Sequence, residues 1–363
     1  MTVLRWRDAM ETALYGPDGF FVSGPGPAAH FRTSVHASPV FASCLRHVLT
    51  ALDLALGHPA RLDVVDVGAG RAELLRALLG AVVATPTEPS LAERIRLVAV
   101  EKAARPAGLP AEIEWRSDLP PEITGLLLAT EWLDNVPLDV ATHTADGWRH
   151  LLVDPTTGAE SPGPPLSPAD TAWLTRWWPR TPTPTSLIKE FASGGDPDQD
   201  ANSLIDEGGW GRVEIGRGRD EAWAEAVGRV RRGAALAVDY GHLRDARPVD
   251  GTLTGYRNGR QVPPVPDGSC DVTAHVAIDS VASAGERVAR CAYTLVSQRA
   301  AVRALGADGG RPPLSLASED PAGYLRALAT ASAVAELTDP TGLGGHWWLW
   351  QPVGVDLAPL LAR

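Results

Sequence analysis

An aspartate placed two residues ahead of a glycine turn is the first feature of this sequence that could do chemistry. The stretch "LDVVDVGAGRAELLRALL", residues 62–79, reads as an apolar strand, a Gly68-x-Gly70 turn and a helix with Leu and Ala on its inner face. Gly68 and Gly70 permit a tight turn and a close approach of backbone to a ligand, as at many nucleotide-like cofactor sites. A dinucleotide fingerprint would carry a third glycine at position 73. Glu73 stands there instead, and its carboxylate would face a pyrophosphate at the helix N-terminus. No Gly-Lys-Ser/Thr follows, which excludes a P-loop. Glu101 ends the run "IRLVAVE", where an acid can accept hydrogen bonds from both hydroxyls of a ribose. The alternative for Glu101 is a solvated strand end.

Those side chains need a scaffold, and the apolar pattern supplies one. Continuous β-branched runs at 62–67, 95–100, 125–129 and 234–238 mark strands buried on both faces, with a short one at 113–115. Helical patterns cover 5–14, 39–56, 168–178, 220–231, 298–305 and 321–337, and closing strands are predicted at 292–297 and 346–352. Strands alternating with helices predict an α/β doubly wound sheet. Two stretches exceed a minimal sheet. Residues 136–211 hold a hairpin-like pair around Asp146-Gly147 and a Pro/Trp-rich part; residues 239–279 are rich in Gly and Pro. Both leave strand ends, where open α/β sheets bind ligands, so they predict a lid or substrate wall. "GGDPDQDA", residues 194–201, is the expected mobile loop. The tryptophans at 173, 177 and 178 form a helical stripe expected to pack in a core or lid rather than to recognise a partner.

The chain has 363 residues, enough for one enlarged domain or two smaller ones. No apolar run reaches the ~18 residues of a bilayer span, and the first residues lack a stretch of signal-peptide length. Cys44, Cys270 and Cys291 form no C-x-x-C pair, which points to a reducing cytoplasm. A formal charge of −11 argues against nucleic acid as a partner, and no membrane insertion is expected. Neither a metal-binding histidine or cysteine constellation nor a G-x-S-x-G elbow occurs.

The order Asp66-x-Gly68-x-Gly70 resembles the first motif of S-adenosylmethionine-dependent methyltransferases, whose ligand is a zwitterionic amino acid joined to a nucleoside. Further pieces extend the likeness: "ALYGPDGFF", "HFRTSVHASPVFA", "LLATEWLDNVPLDV", "GRVEIG", "LAVDYG", "GTLTGYRNGR", "GSCDVTAHVAIDSVA", "SQRAAVRALGA" and "GGHWWLWQ". Taken together, in this order, they resemble the MidA-type family of methyltransferases over nearly the whole chain. That family includes a mitochondrial respiratory complex I assembly factor that methylates an arginine of a partner subunit. The resemblance implies a Rossmann-like, seven-stranded class I methyltransferase core with two insertions forming a substrate domain. It implies S-adenosyl-L-methionine as cofactor, held by Asp66, Gly68, Gly70 and Glu101 and by Thr33 and Ser38 of an early covering loop. It also implies a protein or peptide substrate. On this division, residues 1–60 are N-terminal helices and the covering loop. Residues 61–135, 212–240 and 286–363 are the core, and 136–211 and 241–285 the substrate region. Three positions depart from the family pattern. His36 replaces an acid, Gly259-Arg260 stand near an expected histidine, and Ile215-Gly216 follow Glu214 without the usual proline. These lie on the substrate side and leave the cofactor side intact.

Methyl transfer is an in-line displacement at a sulfonium carbon, and the enzyme must align donor and acceptor. For an arginine guanidinium, carboxylates are the natural tool, because they pair with two nitrogens at once. Glu131 and Asp239 are expected at strand tips facing the cofactor, with Asp271 and His275 flanking Thr273 to orient the acceptor. Asp134 either joins them or caps the following helix. His275 could instead make a structural hydrogen bond, His36 could be a base or a loop residue, and Tyr240 and Tyr256 could wall the cleft. Two other functions remain open: methylation of a small molecule or biosynthetic peptide, and a non-catalytic assembly factor that binds the cofactor.

Overall fold

The computed structural model describes residues 3–23, 39–179, 211–307 and 309–355. Seven strands form the central sheet: β1 (Leu62–Val67), β2 (Ile95–Val100), β3 (Ile113–Arg116), β4 (Ile123–Thr130), β5 (Val230–Asp239), β6 (Thr294–Ser297) and β7 (Trp347–Val353). Their spatial order is β3-β2-β1-β4-β5-β7-β6. The first five are mutually parallel, whereas β7 runs antiparallel to both β5 and β6. This is the Rossmann-like core of class I methyltransferases, with additional strands and helices inserted.

All six residues of β1 are buried, Asp63 and Asp66 included, which is why its apolar residues do not alternate with exposed polar ones. Successive side chains still point to opposite faces. Val64 packs with helices Pro39–Ala55 and Glu73–Val83. Val65 and Val67 pack on the other side with Trp223 of helix Arg217–Gly228 and Val281 of helix Ile278–Ala289. The strands 95–100 and 62–67 coincide with their expected limits, and the short strand after Ile113 is present.

A second, antiparallel sheet joins Leu4–Arg5, Gly147–Val153, Asp139–Thr144 and Val213–Ile215 in that order, with Glu160–Pro165 also on Gly147–Val153. Three short strands, Thr254–Arg257, Arg260–Val262 and Asp271–Thr273, form a further sheet from the second insertion. Helix Trp6–Tyr15 lies between the two. Its Trp6, Met10 and Leu14 share one core with Val140 and Val153 of the first insertion and Cys270 and Val272 of the second. The N-terminal segment and both insertions therefore fold together. Segment 212–240 divides between the sheets: Val213–Ile215 pairs with Asp139–Ala141, while β5 belongs to the central sheet. Helix Ile278–Ala289 starts inside the stretch assigned to the second insertion and packs on the central sheet.

Trp173 and Trp178 are buried, and the Trp173 indole donates to Asp220 (2.8 Å) and Ser280 (3.0 Å). The tryptophan stripe thus packs in a core. Among the described residues no helix is long and apolar enough to cross a membrane, and no group of side chains could hold a metal ion. Thr33, His36, Ser38 and the 194–201 stretch lie outside the described residues.

Candidate cofactor and acceptor site

The carboxyl ends of β1 to β4 open into a cleft of about 1000 Å³. The glycine turn forms its floor. Gly68 and Ala69 donate their N–H groups to the Val100 carbonyl (3.0 and 3.3 Å), tying the turn to the end of β2. Gly68 has φ +69, and a Cβ there would sit 2.8 Å from Cδ1 of Trp132. The position therefore needs glycine for both its backbone angle and its packing. Glu101 staples the turn from the neighbouring strand, accepting from Gly70 N (2.9 Å) through one oxygen and from Lys102 N (2.7 Å) and Ala103 N (3.3 Å) through the other. Each carboxylate oxygen can accept about two bonds, so Oε2 keeps capacity for a ribose hydroxyl.

Asp66 is only 2% exposed, and its Oδ1 has no hydrogen-bond partner. Burial, and then the charges of Glu101 and Glu73, push its carboxyl up to about 8. A buried acid with an orphaned oxygen beside a glycine turn fits a ligand that brings a cation or donors, such as an α-ammonium group. It does not fit a phosphate. The raised value has a consequence for stability. Below about pH 4 the acid is protonated in both folded and unfolded chains. Between about 4 and 8 only the unfolded chain ionises, so stability falls as pH rises; above about 8 the loss is complete. Asp66→Asn removes this titration. Its melting temperature relative to the natural protein should climb from pH 4 to 8 and then level off. A difference that is flat across this range would contradict the assignment.

The turn after β4 builds a further part of the cleft wall. Glu131 holds φ +50, an uncommon conformation for a non-glycine residue, fixed by its N–H donating to the Val238 carbonyl (2.8 Å). Trp132 follows, then the short helical turn Leu133–Asn135. Glu131 and Asp134 both line the cleft, together with Glu11 and Tyr15 of the first helix.

The other expected acids stand behind this layer, which corrects their placement at the cofactor. Asp239 is fully buried at the end of β5. Its Oδ2 accepts from the N–H groups of Leu133 (3.0 Å) and Asp134 (3.3 Å), so it fixes the turn and does not line the cleft. Asp271 is buried too and accepts from Nδ2 of Asn135 (2.7 Å). His275 is exposed, with its ring edge-on to Tyr240 (centroids 5.0 Å apart), and it does not line the cleft either. Strand-tip position alone cannot tell a cleft-facing acid from one that caps the next loop; the N–H groups of the neighbouring loop decide. Asp134, which could have been a cap, is the acid that reaches the cleft.

Three features were not read from the sequence. Ser117 and Asp118 follow β3 and line the cleft, as residues after any parallel strand of this sheet are placed to do. Glu214 is buried and pins the second insertion, accepting from the N–H groups of Thr252 and Leu253 and from the Thr252 hydroxyl. Arg219 is 1% exposed and donates to the carbonyls of Val136 (3.1 Å), Ala274 (2.9 Å), His275 (3.0 Å) and Asp134. It clamps the turn after β4 to the second insertion. The signal was its spacing: Arg219 lies four residues before the buried Trp223, on the inner face of the helix. Arg219→Leu strands four carbonyls and should cost roughly 3–5 kcal/mol. Urea denaturation measures it; a loss under ~1 kcal/mol would show that the clamp contributes little.

A family model described as "Putative S-adenosyl-L-methionine-dependent methyltransferase" matches residues 45–295, about two thirds of the chain. The chain belongs to this family. Among solved structures, this chain is similar to a Burkholderia thailandensis protein determined with S-adenosyl-homocysteine bound. Identity is 22% and the TM-score 0.74, over 99% of this chain and 91% of the other. It is similar also to a native structure of an uncharacterized protein from the same organism. There identity is 24% and the TM-score 0.71, over 99% and 90% of the two chains. At these identities the likeness concerns the fold. No curated protein matches this chain.

Proposed function

We propose that this chain binds S-adenosyl-L-methionine in the cleft and methylates a guanidinium nitrogen of an arginine in a protein or peptide. One observation carries the acceptor class. Among the residues described around the cleft, carboxylates outnumber cations eight to three, Glu11, Glu131 and Asp134 among them. S-adenosyl-homocysteine in the similar Burkholderia structure supports the cofactor reading, and the MidA-type motifs support a protein acceptor.

When bound, the cofactor supplies an electrophilic methyl on a sulfonium. The residues of the chain do the rest. The glycine turn admits the ligand close to the backbone, and Asp66 offers its orphaned oxygen to the amino-acid end. Glu101 holds the turn and keeps an oxygen for the ribose. Glu131, held in its unusual backbone conformation, pairs with the guanidinium and leaves one nitrogen to face the methyl. Tyr15 and Trp132 wall the cleft with apolar surface.

The test is mass spectrometry of proteins methylated by the purified chain. Fragment ions that place the methyl on the guanidino group of arginine are the expected result. A methyl on a carboxylate, hydroxyl or carbon acceptor would overturn the guanidinium reading. Methylation confined to small molecules would overturn the protein-acceptor reading.

A further inference from the structure

Asp134 has a geometry that the methyl-transfer reading does not by itself require. It is 97% buried by its 3% exposure, yet it lines the cleft. Its Oδ2 accepts from the hydroxyls of Tyr240 and Thr273 (2.8 Å for Thr273), and those hydroxyls are 2.6 Å apart. Its Oδ1 is buried with no hydrogen-bond partner. Two fixed donors on one oxygen prevent the carboxylate from rotating and leave the other oxygen for a group that enters the cleft. Tyr240 comes from the residue after β5 and Thr273 from the second insertion, so core and insertion converge on this one acid.

We infer that Asp134, oriented by Tyr240 and Thr273, is the acceptor-side subsite that binds the cationic N–H group and takes its proton. The inference rests on the methyl-transfer reading. In the step it serves, the acceptor nitrogen's lone pair forms the new N–C bond and the C–S electron pair stays with sulfur, which becomes a neutral thioether. The N–H proton passes to Asp134 Oδ1 and then to solvent. Tyr240 and Thr273 are positioning residues, because they act through Asp134.

The charged surroundings suit this role. Burial pushes the Asp134 carboxyl up, against the hydroxyls of Tyr240 and Thr273 and the charge of Arg219, which pull it down. Asp239 on β5 and Asp271 and His275 from the second insertion also face it. So do Tyr15 of the first helix and Glu131 of its own turn, the latter through Asp239 and Asp271.

The experiment uses methylguanidinium and methylammonium chlorides as probes, titrated by NMR into the whole protein saturated with S-adenosyl-homocysteine, from pH 5 to 9. The natural protein should bind methylguanidinium. Asp134→Asn should weaken it about tenfold or more, the scale of one lost charge-assisted pair, without changing S-adenosyl-homocysteine affinity. Tyr240→Phe removes a donor from the ionised acid, so the pH at which binding half-appears should rise by roughly one unit. Equal probe affinity in Asp134→Asn and the natural protein would overturn the subsite, as would the same pH dependence persisting in that variant. An unmoved midpoint in Tyr240→Phe would overturn the positioning role. Binding of methylammonium alone, lost in Asp134→Asn, would leave the subsite standing and overturn the guanidinium reading. Binding of neither probe to the natural protein would overturn both.

Discussion

Gly68→Val leaves the protein folded but without measurable affinity for S-adenosyl-L-methionine. Two costs meet at this residue. A valine at φ +69 is strained by a few kcal/mol, because a β-branched side chain crowds the left-handed conformation. Its Cβ would also lie 2.8 Å from the Trp132 ring, which would have to leave its place on the turn. The turn can escape both only by moving, and in the proposed site it is the surface on which the ligand rests. Because Trp132 follows Glu131 directly, the same change disturbs the proposed acceptor side. Calorimetry with the cofactor, with circular dichroism to confirm the fold, measures the effect. Binding like that of the natural protein would place the cofactor site elsewhere.

Glu131→Gln lowers turnover by ~10²–10⁴-fold, the usual span for a positioned acid–base group, and leaves cofactor affinity nearly unchanged. Glutamine keeps the shape and the same φ +50 backbone, so the change isolates the charge. Glu131→Gly separates the other component. It relieves the backbone strain and should raise stability, yet lose as much turnover as Glu131→Gln. A held active residue and a merely tolerated one differ in this respect: only the first trades stability for rate. Methyl-transfer rates beside urea denaturation for the two variants decide it. Equal turnover by Glu131→Gln and the natural protein would remove Glu131 from the site.

The central sheet was legible because its middle strands are buried on both faces, and burial leaves the same apolar run whatever surrounds it. β1 is buried over its full length and β2 over its last four residues. The glycine turn was legible for a similar reason: few residues other than glycine can make it. The peripheral sheet was not. Leu4–Arg5 and Val213–Ile215 are two and three residues long, too short for an alternation to show, and their pairing partners lie more than 70 residues away. The acids were legible as a group but not in their roles. Asp239 ends a core strand and Glu131 follows one, and only the N–H groups of Leu133 and Asp134 show that one oxygen of Asp239 is taken by the loop. The only mark of Arg219 in the sequence is its place four residues before Trp223 on one helix face. Four carbonyls from two distant segments make it a buried clamp, and those carbonyls carry no sequence signal.

The central claim is that the cleft at the glycine turn binds S-adenosyl-L-methionine and that its methyl leaves for a protein acceptor. Incubating the purified protein with methyl-labelled cofactor and lysate from cells lacking it tests both parts at once, with Gly68→Val as the control. The account predicts label in a discrete protein band with the natural protein, recovered as methylarginine on hydrolysis, and none with Gly68→Val. Label transferred equally by both proteins, or by neither, would contradict it.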